Sequence, residues 1–233
     1  MTSSVVPLEY GRFYHIYNRG INGCNLFQEN ENYDYFMRLY GKYISLVADT
    51  FAWVLMRNHF HFLVRIKNEE EISFMGNHQT PEGFENTSGS VINLSVSDRP
   101  ESVSNPKRLI KKYKPVNQFS YLFNAYTKAI NKRYHRTGSL FEHPFRRIQI
   151  TSKDQLLYMI YYIHHNPIHH GFCKHFLEYP WSSYLTILSP EKTNLKRDEV
   201  LRWFYDKAYF KEFHCKEQIE KYDELQINSI FDF

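Results

Sequence analysis

The sequence predicts an α+β domain in which helices pack on an antiparallel sheet. Short runs of aromatic and other β-prone residues, typical of strands, lie at residues 12–18, 51–56 and 59–66. One segment between these runs and another after them carry apolar residues at the spacing of amphipathic helices. When the polar residues 68–106 are set aside, the predicted order is β-α-β-β-α-β, followed by helices.

The first strand covers residues 12–18 and ends at Gly20 and the Asn22-Gly23 pair, because these residues favour turns. Asn32 is expected to cap the first helix, since its side chain can accept a backbone N–H of the first turn. The apolar face of this helix consists of Phe36, Leu39, Tyr40, Tyr43 and Val47.

A hairpin follows the first helix. Residues 51–56 form the second predicted strand, Arg57-Asn58 the tight turn, and residues 59–66 the third strand. The next residues are rich in Ser, Asn, Glu, Gly and Pro, a composition that forms a core poorly. We therefore expect a mobile insert at residues 68–116, the basic run at its end included.

The second helix is predicted from Gln118 onward, and Thr137-Gly138 is expected to end it. Its apolar stripe consists of Phe119, Leu122, Phe123, Tyr126 and Ile130. Residues 139–150 predict a fourth strand. Because Pro144 cannot donate to a sheet ladder, this strand is expected to bend there and to lie at a sheet edge.

The third helix is expected to start after a cap at Ser152 or Asp154. It should end near His165, because Pro167 disfavours helix in the residue before it. A turn at residues 180–183 and two short helices then close the chain. The whole order is typical of the ferredoxin-like fold, with helices packed on one antiparallel sheet.

The composition supports a folded domain and excludes several classes of protein. The 233 residues are 42% hydrophobic and 23% charged, which is enough for one sizeable core with extensions. We place the main domain at residues 1–185 and a helical extension at residues 186–233. The 3 scattered cysteines exclude a disulfide framework or a zinc ribbon. Without a signal-peptide pattern or a long apolar run, a cytoplasmic protein with no membrane contact is expected.

Positive charge is concentrated in one stretch, although the formal net charge is only +4. Between residues 107 and 147 the one acidic residue is Glu142. Such a one-sided stretch predicts a phosphate-binding surface, while a solvated helix face would mix signs more evenly. The positive residues there are Lys107, Arg108, Lys111, Lys112, Lys114, Lys128, Lys132, Arg133, Arg136, Arg146 and Arg147.

Four residues carry the predicted chemistry. His59 and His61 lie two apart on one strand, so both imidazoles face the same side of the sheet. Tyr162 and Asn166 lie four apart on the third helix, so they also share a face. Two imidazoles and an amide oxygen suit Mg²⁺ or Mn²⁺ better than a closed zinc cage. A cation beside a phenol suggests attack by Tyr162 on a phosphate.

Several segments resemble the single-tyrosine HUH transposases, whose motif is histidine, a hydrophobic residue and histidine. The downstream signature is similar to that of the REP-associated tyrosine transposase branch. The resemblance covers about residues 10–185 without the insert, and several ordered motifs are more specific than one histidine pair. The matching segments are residues 14–20, 56–64, 136–141, 162–167, 171–172 and 179–184.

The resemblance implies that the protein cleaves single-stranded DNA beside hairpins through a 5′-phosphotyrosine intermediate. Tyr162 would be the nucleophile, with His59, His61 and Asn166 as ligands of Mg²⁺ or Mn²⁺. The family usually has Pro where this chain has Arg57, and the insert is not typical of its minimal members. The chain is expected to act as a monomer or a homodimer. Candidate DNA-binding residues are Arg19, Lys132, Arg133, Arg136, Arg146 and Arg147.

Alternatives remain open at this stage. Tyr158 shares the face of Tyr162 and is the rival nucleophile, while Tyr161 is expected in the core or at the surface. The protein could instead be a domesticated nucleic-acid-binding protein without turnover, or a replication-initiator-like nickase, for which the chain is short. We assign no metal to the histidines at the end of the third helix, namely His164, His165, His169 and His170.

Overall fold

The computed structural model describes residues 6–73 and 112–216. Their sheet has four antiparallel strands in the order β2-β3-β1-β4, which confirms the predicted α+β, ferredoxin-like arrangement. No helix in this part of the chain is both long and apolar enough to cross a membrane. The strands are β1 (Phe13–Arg19), β2 (Ala48–Met56), β3 (His59–Ile66) and β4 (Arg146–Ile150).

Helices cover both faces of the sheet, because successive strand residues point to opposite sides. On one face Ile16, Phe60 and Phe62 pack against the first two helices in an aromatic core. On the other face Val54 and Leu63 pack against the third helix and the C-terminal helices. The helices are α1 (Asn30–Ile44), α2 (Pro115–Arg133), α3 (Lys153–His169), α4 (Tyr184–Leu188), α5 (Arg197–Trp203) and α6 (Lys207–Cys215).

The start of α1 differs from the prediction. The residue at its N-cap is Glu29, in extended conformation, and Asn32 lies inside the first turn. The Asn32 amide oxygen accepts the backbone N–H of Gln28 at 2.9 Å and the Tyr134 hydroxyl at 2.9 Å. Asn32 thus binds the chain before the helix and the end of α2, which is a tertiary role and not a cap.

The third helix was predicted to end too early. Ser152 caps it as expected, because its side chain accepts the N–H of Gln155 at 3.1 Å. The helix then continues through Pro167 to His169. The N–H of His170 closes the last turn on the Asn166 carbonyl at 3.0 Å. Packing of the buried turn around Pro167 therefore overrides the local preference of proline.

The region between α2 and β4 contains less regular structure than predicted. Helix α2 ends at Arg133, before Thr137-Gly138, and His135 has a positive φ of 51°. The strand comprises Arg146–Ile150 and not residues 139–150. Its predicted edge position is confirmed. Upstream of Pro144 only an isolated bridge, Gly20 with Phe141, continues the pairing.

The outer edge of β2 is covered by the predicted turn at residues 180–183. The N–H of Leu55 donates to the Trp181 carbonyl, and the N–H of Ser183 donates to the Trp53 carbonyl, each at 2.9 Å. Trp181 also stacks on Tyr33 with 4.5 Å between ring centroids. The segment therefore pairs an exposed strand edge, as a packed turn was expected to do. Three short α-helices follow it among the described residues, where two were predicted.

Most of the predicted insert at residues 68–116 lies outside the described residues. At its two ends, a short 3-10 turn covers Glu69–Glu71, and α2 already begins at Pro115. The Lys112 ammonium donates to the Glu69 carbonyl at 2.9 Å, so the two ends lie side by side. The predicted division into residues 1–185 and 186–233 stays a prediction, although α4–α6 share one core with α3.

Phe62 provides a test of the core that holds β3 in place. Its side chain is buried and stacks on Tyr40 at 4.2 Å between centroids. We expect Phe62→Ala to lower the free energy of unfolding by about 3–5 kcal/mol, because it leaves a cavity. Urea denaturation measures this. Tyr121→Ala is the matched control, since Tyr121 is 48% exposed. A small loss in Phe62→Ala, equal to that of the control, would contradict the assignment of Phe62 to the core.

Candidate metal and nucleophile site

The structure brings the four residues predicted to carry chemistry together. His59 and His61 lie at the start of β3, and Tyr162 and Asn166 lie on the face of α3 that covers them. His59 Nε2 is 3.4 Å from Asn166 Oδ1. The rings of His61 and Tyr162 meet edge to face with 5.7 Å between centroids. Residues a hundred positions apart in the chain thus form one cluster.

The strand register determines which side chains surround the histidines. In the β1–β3 pair, Arg19 is opposite His59, and Tyr17 is opposite His61. Paired residues of antiparallel strands point to the same face, so Arg19 and Tyr17 lie on the histidine face. His15, two residues before Tyr17, shares this face, and its ring is 6.1 Å from that of Tyr162.

The two rival tyrosines occupy other positions on α3. Tyr161 stacks on His165 at 3.9 Å between centroids and packs against α6 at Phe213. Tyr158 is buried in the second core, one helical turn before Tyr162. Because a turn rises about 5.4 Å, Tyr158 lies that much further along α3 from Asn166. Tyr162 is therefore the tyrosine of this helix placed against His61.

The proton position on His59 follows from its partners. Its Nδ1 is 2.7 Å from the amide oxygen of Asn58, which can only accept, so Nδ1 carries the proton. Burial lowers the pKa of His59 to about 4, so the ring holds one proton at neutral pH. Its Nε2 lone pair therefore faces the amide oxygen of Asn166. Two acceptor atoms lie opposite each other, an arrangement that a cation between them would stabilise.

His61 is bound by a histidine that sequence reasoning did not assign. Its Nδ1 is 2.8 Å from His15 Nε2, and both side chains are fully buried. Burial lowers the pKa of His15 to about 3 and holds that of His61 well below its usual range. One neutral ring must then donate to the other. If His61 donates from Nδ1, the lone pair for binding a cation is on its Nε2. The sequence did contain a signal for His15: side-chain alternation along residues 13–19 places it on the same face of the strand as Tyr17.

The donor set fits a divalent cation with oxygen and nitrogen ligands. Ligands at about 2.1 Å from one ion lie between about 3.0 Å and about 3.4 Å apart in octahedral or tetrahedral geometry. The separation of 3.4 Å between His59 Nε2 and Asn166 Oδ1 lies in that range. Among the described residues no cluster of three His, Cys, Asp or Glu could hold a metal. The amide oxygen of Asn166 would then be the third ligand. The buried Nδ2 of the same amide has no hydrogen-bond partner in that part of the chain.

Two further histidines lie at the rim. The His170 ring is 4.6 Å from the His59 ring, edge to face. The His169 ring is 6.5 Å from that of Tyr162. Both residues are exposed, whereas Tyr162 is 6% exposed. The four residues by which α3 continues beyond its predicted end near His165 place His169 there. His164 points away from the site, toward α6.

Two of the predicted DNA-binding arginines lie near the histidines. Arg19 is opposite His59 in the sheet and binds Glu142 at 2.5 Å. Arg146 is opposite Tyr17 and lies 3.6 Å from the same carboxylate. The one acid of the basic stretch therefore lies between these two guanidinium groups and partly balances their charge.

The other predicted DNA-binding residues lie further away. Lys132 and Arg133 end α2 on the opposite face of the sheet, where Arg133 binds Glu29 at 2.6 Å. Arg136 follows them and donates to Asn131 at 3.3 Å. The loop after α2 returns to the end of β1. Arg147 is not brought to the site, because side-chain alternation turns it to the other face, where it lies 4.7 Å over the Phe145 ring.

Comparisons with known proteins give one structural likeness. No family model and no curated protein matches the sequence. A solved structure described as "Structure of the REP associates tyrosine transposase bound to a REP hairpin" has a similar fold, with a TM-score of 0.53. The match covers 82% of this chain and 87% of that chain, at 12% sequence identity. At this identity the likeness shows a shared fold.

His15 provides a test of the metal site that does not depend on turnover. We expect His15→Phe to weaken Mn²⁺ binding about 10- to 100-fold, because a partner that orients a ligating histidine is lost. Isothermal titration calorimetry with MnCl₂ measures the affinity. Tyr17→Phe is the matched control, since it keeps the ring that stacks on His15 at 4.7 Å. Wild-type affinity in His15→Phe would show that His15 does not orient His61.

Proposed function

We propose that this protein is a metal-dependent single-strand DNA nuclease and strand transferase of the transposase type. The observation that carries the proposal is the convergence of Tyr162 with His59, His61 and Asn166 in one buried cluster. The fold likeness to a REP-associated tyrosine transposase supports a nucleic-acid-processing role at the level of the fold. Fold alone does not give a function, so the proposal rests on the cluster.

The chemistry begins with the weak nucleophilicity of a phenol, whose ordinary pKa is about 10. His59, His61 and Asn166 would hold Mg²⁺ or Mn²⁺, and the bound ion would withdraw charge from a phosphate oxygen and help to orient the scissile phosphate. The Tyr162 oxygen then bonds to phosphorus while the bond from phosphorus to the 3′-oxygen breaks. The phenol loses its proton and the leaving oxygen gains one. The products are a 5′-phosphotyrosine and a 3′-hydroxyl, and the reverse reaction joins strands.

The substrate must enter past the rim of the site. Tyr162 is 6% exposed; the exposed His169 lies beside it, and the exposed His170 lies beside His59. A single strand is flexible enough to thread into such a site, whereas a stacked duplex would have to unpair. The hairpin named for the neighbouring structure supports the proposal that the single strand adjoins a hairpin.

The positions of the basic residues are consistent with a DNA partner. β1 ends at Arg19, β3 begins at His59, and β4 begins at Arg146, so all three lie at one end of the sheet. Helix α2 ends at Arg133 next to the start of α1, and the loop with Arg136 leads from there to the same end. Phosphates approaching His59 would therefore meet a positively charged end of the molecule.

Assembly and location stay predictions. The four residues of the candidate site come from one chain, which supports action as a monomer without excluding the predicted homodimer. A second candidate function is a DNA-binding protein without turnover. The low exposure of Tyr162 favours this alternative, because a phenol with so little exposed surface has little access to a phosphate.

The nucleophile is tested with a hairpin oligonucleotide that carries single-stranded flanks. We expect Tyr162→Phe to abolish the covalent protein–DNA species on a denaturing gel with Mn²⁺, because no oxygen remains to attack phosphorus. Hairpin affinity should be unchanged. Tyr158→Phe, one turn earlier, is the matched control and should retain the adduct. An adduct in Tyr162→Phe would refute the assignment, while binding without any wild-type adduct would select the second candidate function.

The DNA path is tested with two adjacent arginines on opposite faces of β4. We expect Arg146→Gln to reduce the slope of log affinity against log salt for a single-stranded oligonucleotide by about 0.7, the contribution of one phosphate contact. Arg147→Gln should leave the slope unchanged, because Arg147 lies over Phe145 on the other face. Fluorescence anisotropy across a salt series measures both. A slope in Arg146→Gln equal to that of the wild type would show that Arg146 does not contact a phosphate.

A further inference from the structure

A second histidine cluster lies on the far side of α3 from the candidate site. His164 Nδ1 is 2.8 Å from His214 Nε2 on α6, and His164 Nε2 is 2.9 Å from the Ser183 hydroxyl. The same hydroxyl oxygen accepts the backbone N–H of Trp53 at 2.9 Å. His214 Nδ1 lies 2.8 Å from the Phe210 carbonyl. The chain of hydrogen bonds, which we call the Ser183 relay, runs from strand β2 through α3 to α6.

The direction of every bond in the Ser183 relay is determined. A carbonyl can only accept, so His214 carries its proton on Nδ1. Burial lowers the pKa of His214 to about 3, so this ring is neutral. His164 has no exposed surface, and burying a charged ring there would be costly, so its ring is neutral too. His214 Nε2 therefore accepts from His164 Nδ1–H, and His164 Nε2 accepts the Ser183 hydroxyl proton. Each donor and acceptor has one partner.

The relay is completely enclosed. Ser183 and His164 have no exposed surface, and His214 is 1% exposed. Aromatic rings surround the two imidazoles, among them Tyr184 and Phe210. Apolar side chains would fill the same space without the cost of burying polar groups. A fully satisfied buried network instead specifies one arrangement of the elements that it joins, because hydrogen bonds are directional.

The position of His164 on α3 connects the relay to the candidate site. His164 lies midway in sequence between Tyr162 and Asn166, two residues from each. Two residues on an α-helix are about 200° apart, so His164 points away from the face that carries the other two. The sheet thus contacts one side of α3, and the relay binds the other. Rotation of α3 about its axis would move His164 and Tyr162 together, so the hydrogen bonds that hold His164 oppose any rotation that displaces Tyr162 from His61.

We propose that Ser183, His164 and His214 are positioning residues that hold α3 in the rotation at which Tyr162 and Asn166 face His59 and His61. This inference rests on the proposed function for its catalytic consequence. It assigns a role to the C-terminal helix α6, which contributes no side chain to the site itself. The relay also ties α3 to the edge of β2 through Ser183, which binds both backbone groups of Trp53.

The test compares three variants of the full chain. His214→Leu removes the acceptor of the relay. His214→Gln can present an amide oxygen in its place, so it is the conservative rescue. Val200→Ala removes buried apolar volume from the same core on α5 and leaves the relay intact. The measurements are the single-turnover rate of adduct formation per folded molecule, the hairpin affinity and the Mn²⁺ affinity.

We expect His214→Leu to slow adduct formation about tenfold or more at saturating DNA and Mn²⁺, because small displacements of reacting groups are costly. Hairpin affinity should not change. His214→Gln should recover most of the rate, and Val200→Ala should react like the wild type despite its lower stability. A wild-type rate in His214→Leu, or an equal loss in Val200→Ala, would overturn the inference and leave the relay a purely structural element.

Failure of the proposed function is distinguishable from failure of the inference. If the wild type forms no adduct, Mn²⁺ affinity decides, since it depends on the position of Asn166 and not on turnover. Mn²⁺ binding must then weaken in His214→Leu but not in Val200→Ala, and any other pattern overturns the inference. In all cases ¹⁵N spectra of the histidine rings should show His164 and His214 protonated on Nδ1. A proton on Nε2 of His214 would refute the relay itself.

Discussion

The register of β3 in the sheet is the constraint on which the rest of the structure depends. His59 and His61 face α3, while the intervening Phe60 and the following Phe62 enter the core under α1 and α2. A shift of one residue would exchange these two sets, moving imidazoles into an aromatic core and phenyl rings against α3. The burial of Phe60 and Phe62 therefore fixes the location of the histidines as strongly as any contact within the site.

Local sequence patterns predicted much of the fold and which side chains share a face in the candidate site. The bounds of β3 were predicted correctly, because a turn and a Pro-free aromatic run define them. The shared face of Tyr162 and Asn166 follows from helical spacing alone. The cap at Asn32 and the end of α3 near His165 were predicted wrongly. In both cases a distant contact or buried packing overrode a local preference.

What the sequence could not predict are contacts between distant elements. The pairing of His15 with His61 requires the register of β1 on β3, and the Ser183 relay joins β2, α3 and α6, of which α3 and α6 alone pair residues 50 positions apart. No repeat spacing in the sequence connects Ser183, in the turn at residues 180–183, with histidines on two separate helices. His164 and His165 were visible as a pair, but whether such residues bind a metal or each other depends on the rotation of α3. Both histidine clusters include side chains of α3 and contact opposite sides of this helix.

Pro167 has a further consequence for how the site opens. Proline has no N–H, so the Ile163 carbonyl lacks the hydrogen bond that residue 167 would normally donate to it. The missing bond lies in the last two turns of α3, close to His169. The terminal turn with His169 is thus joined to the helix more weakly than the turn with Tyr162. Unwinding of the terminal turn therefore breaks one backbone hydrogen bond fewer than it would in an uninterrupted helix. Such unwinding would carry His169 away from the phenol and widen the entrance, while Tyr162 stays in the part of the helix that packs on the sheet.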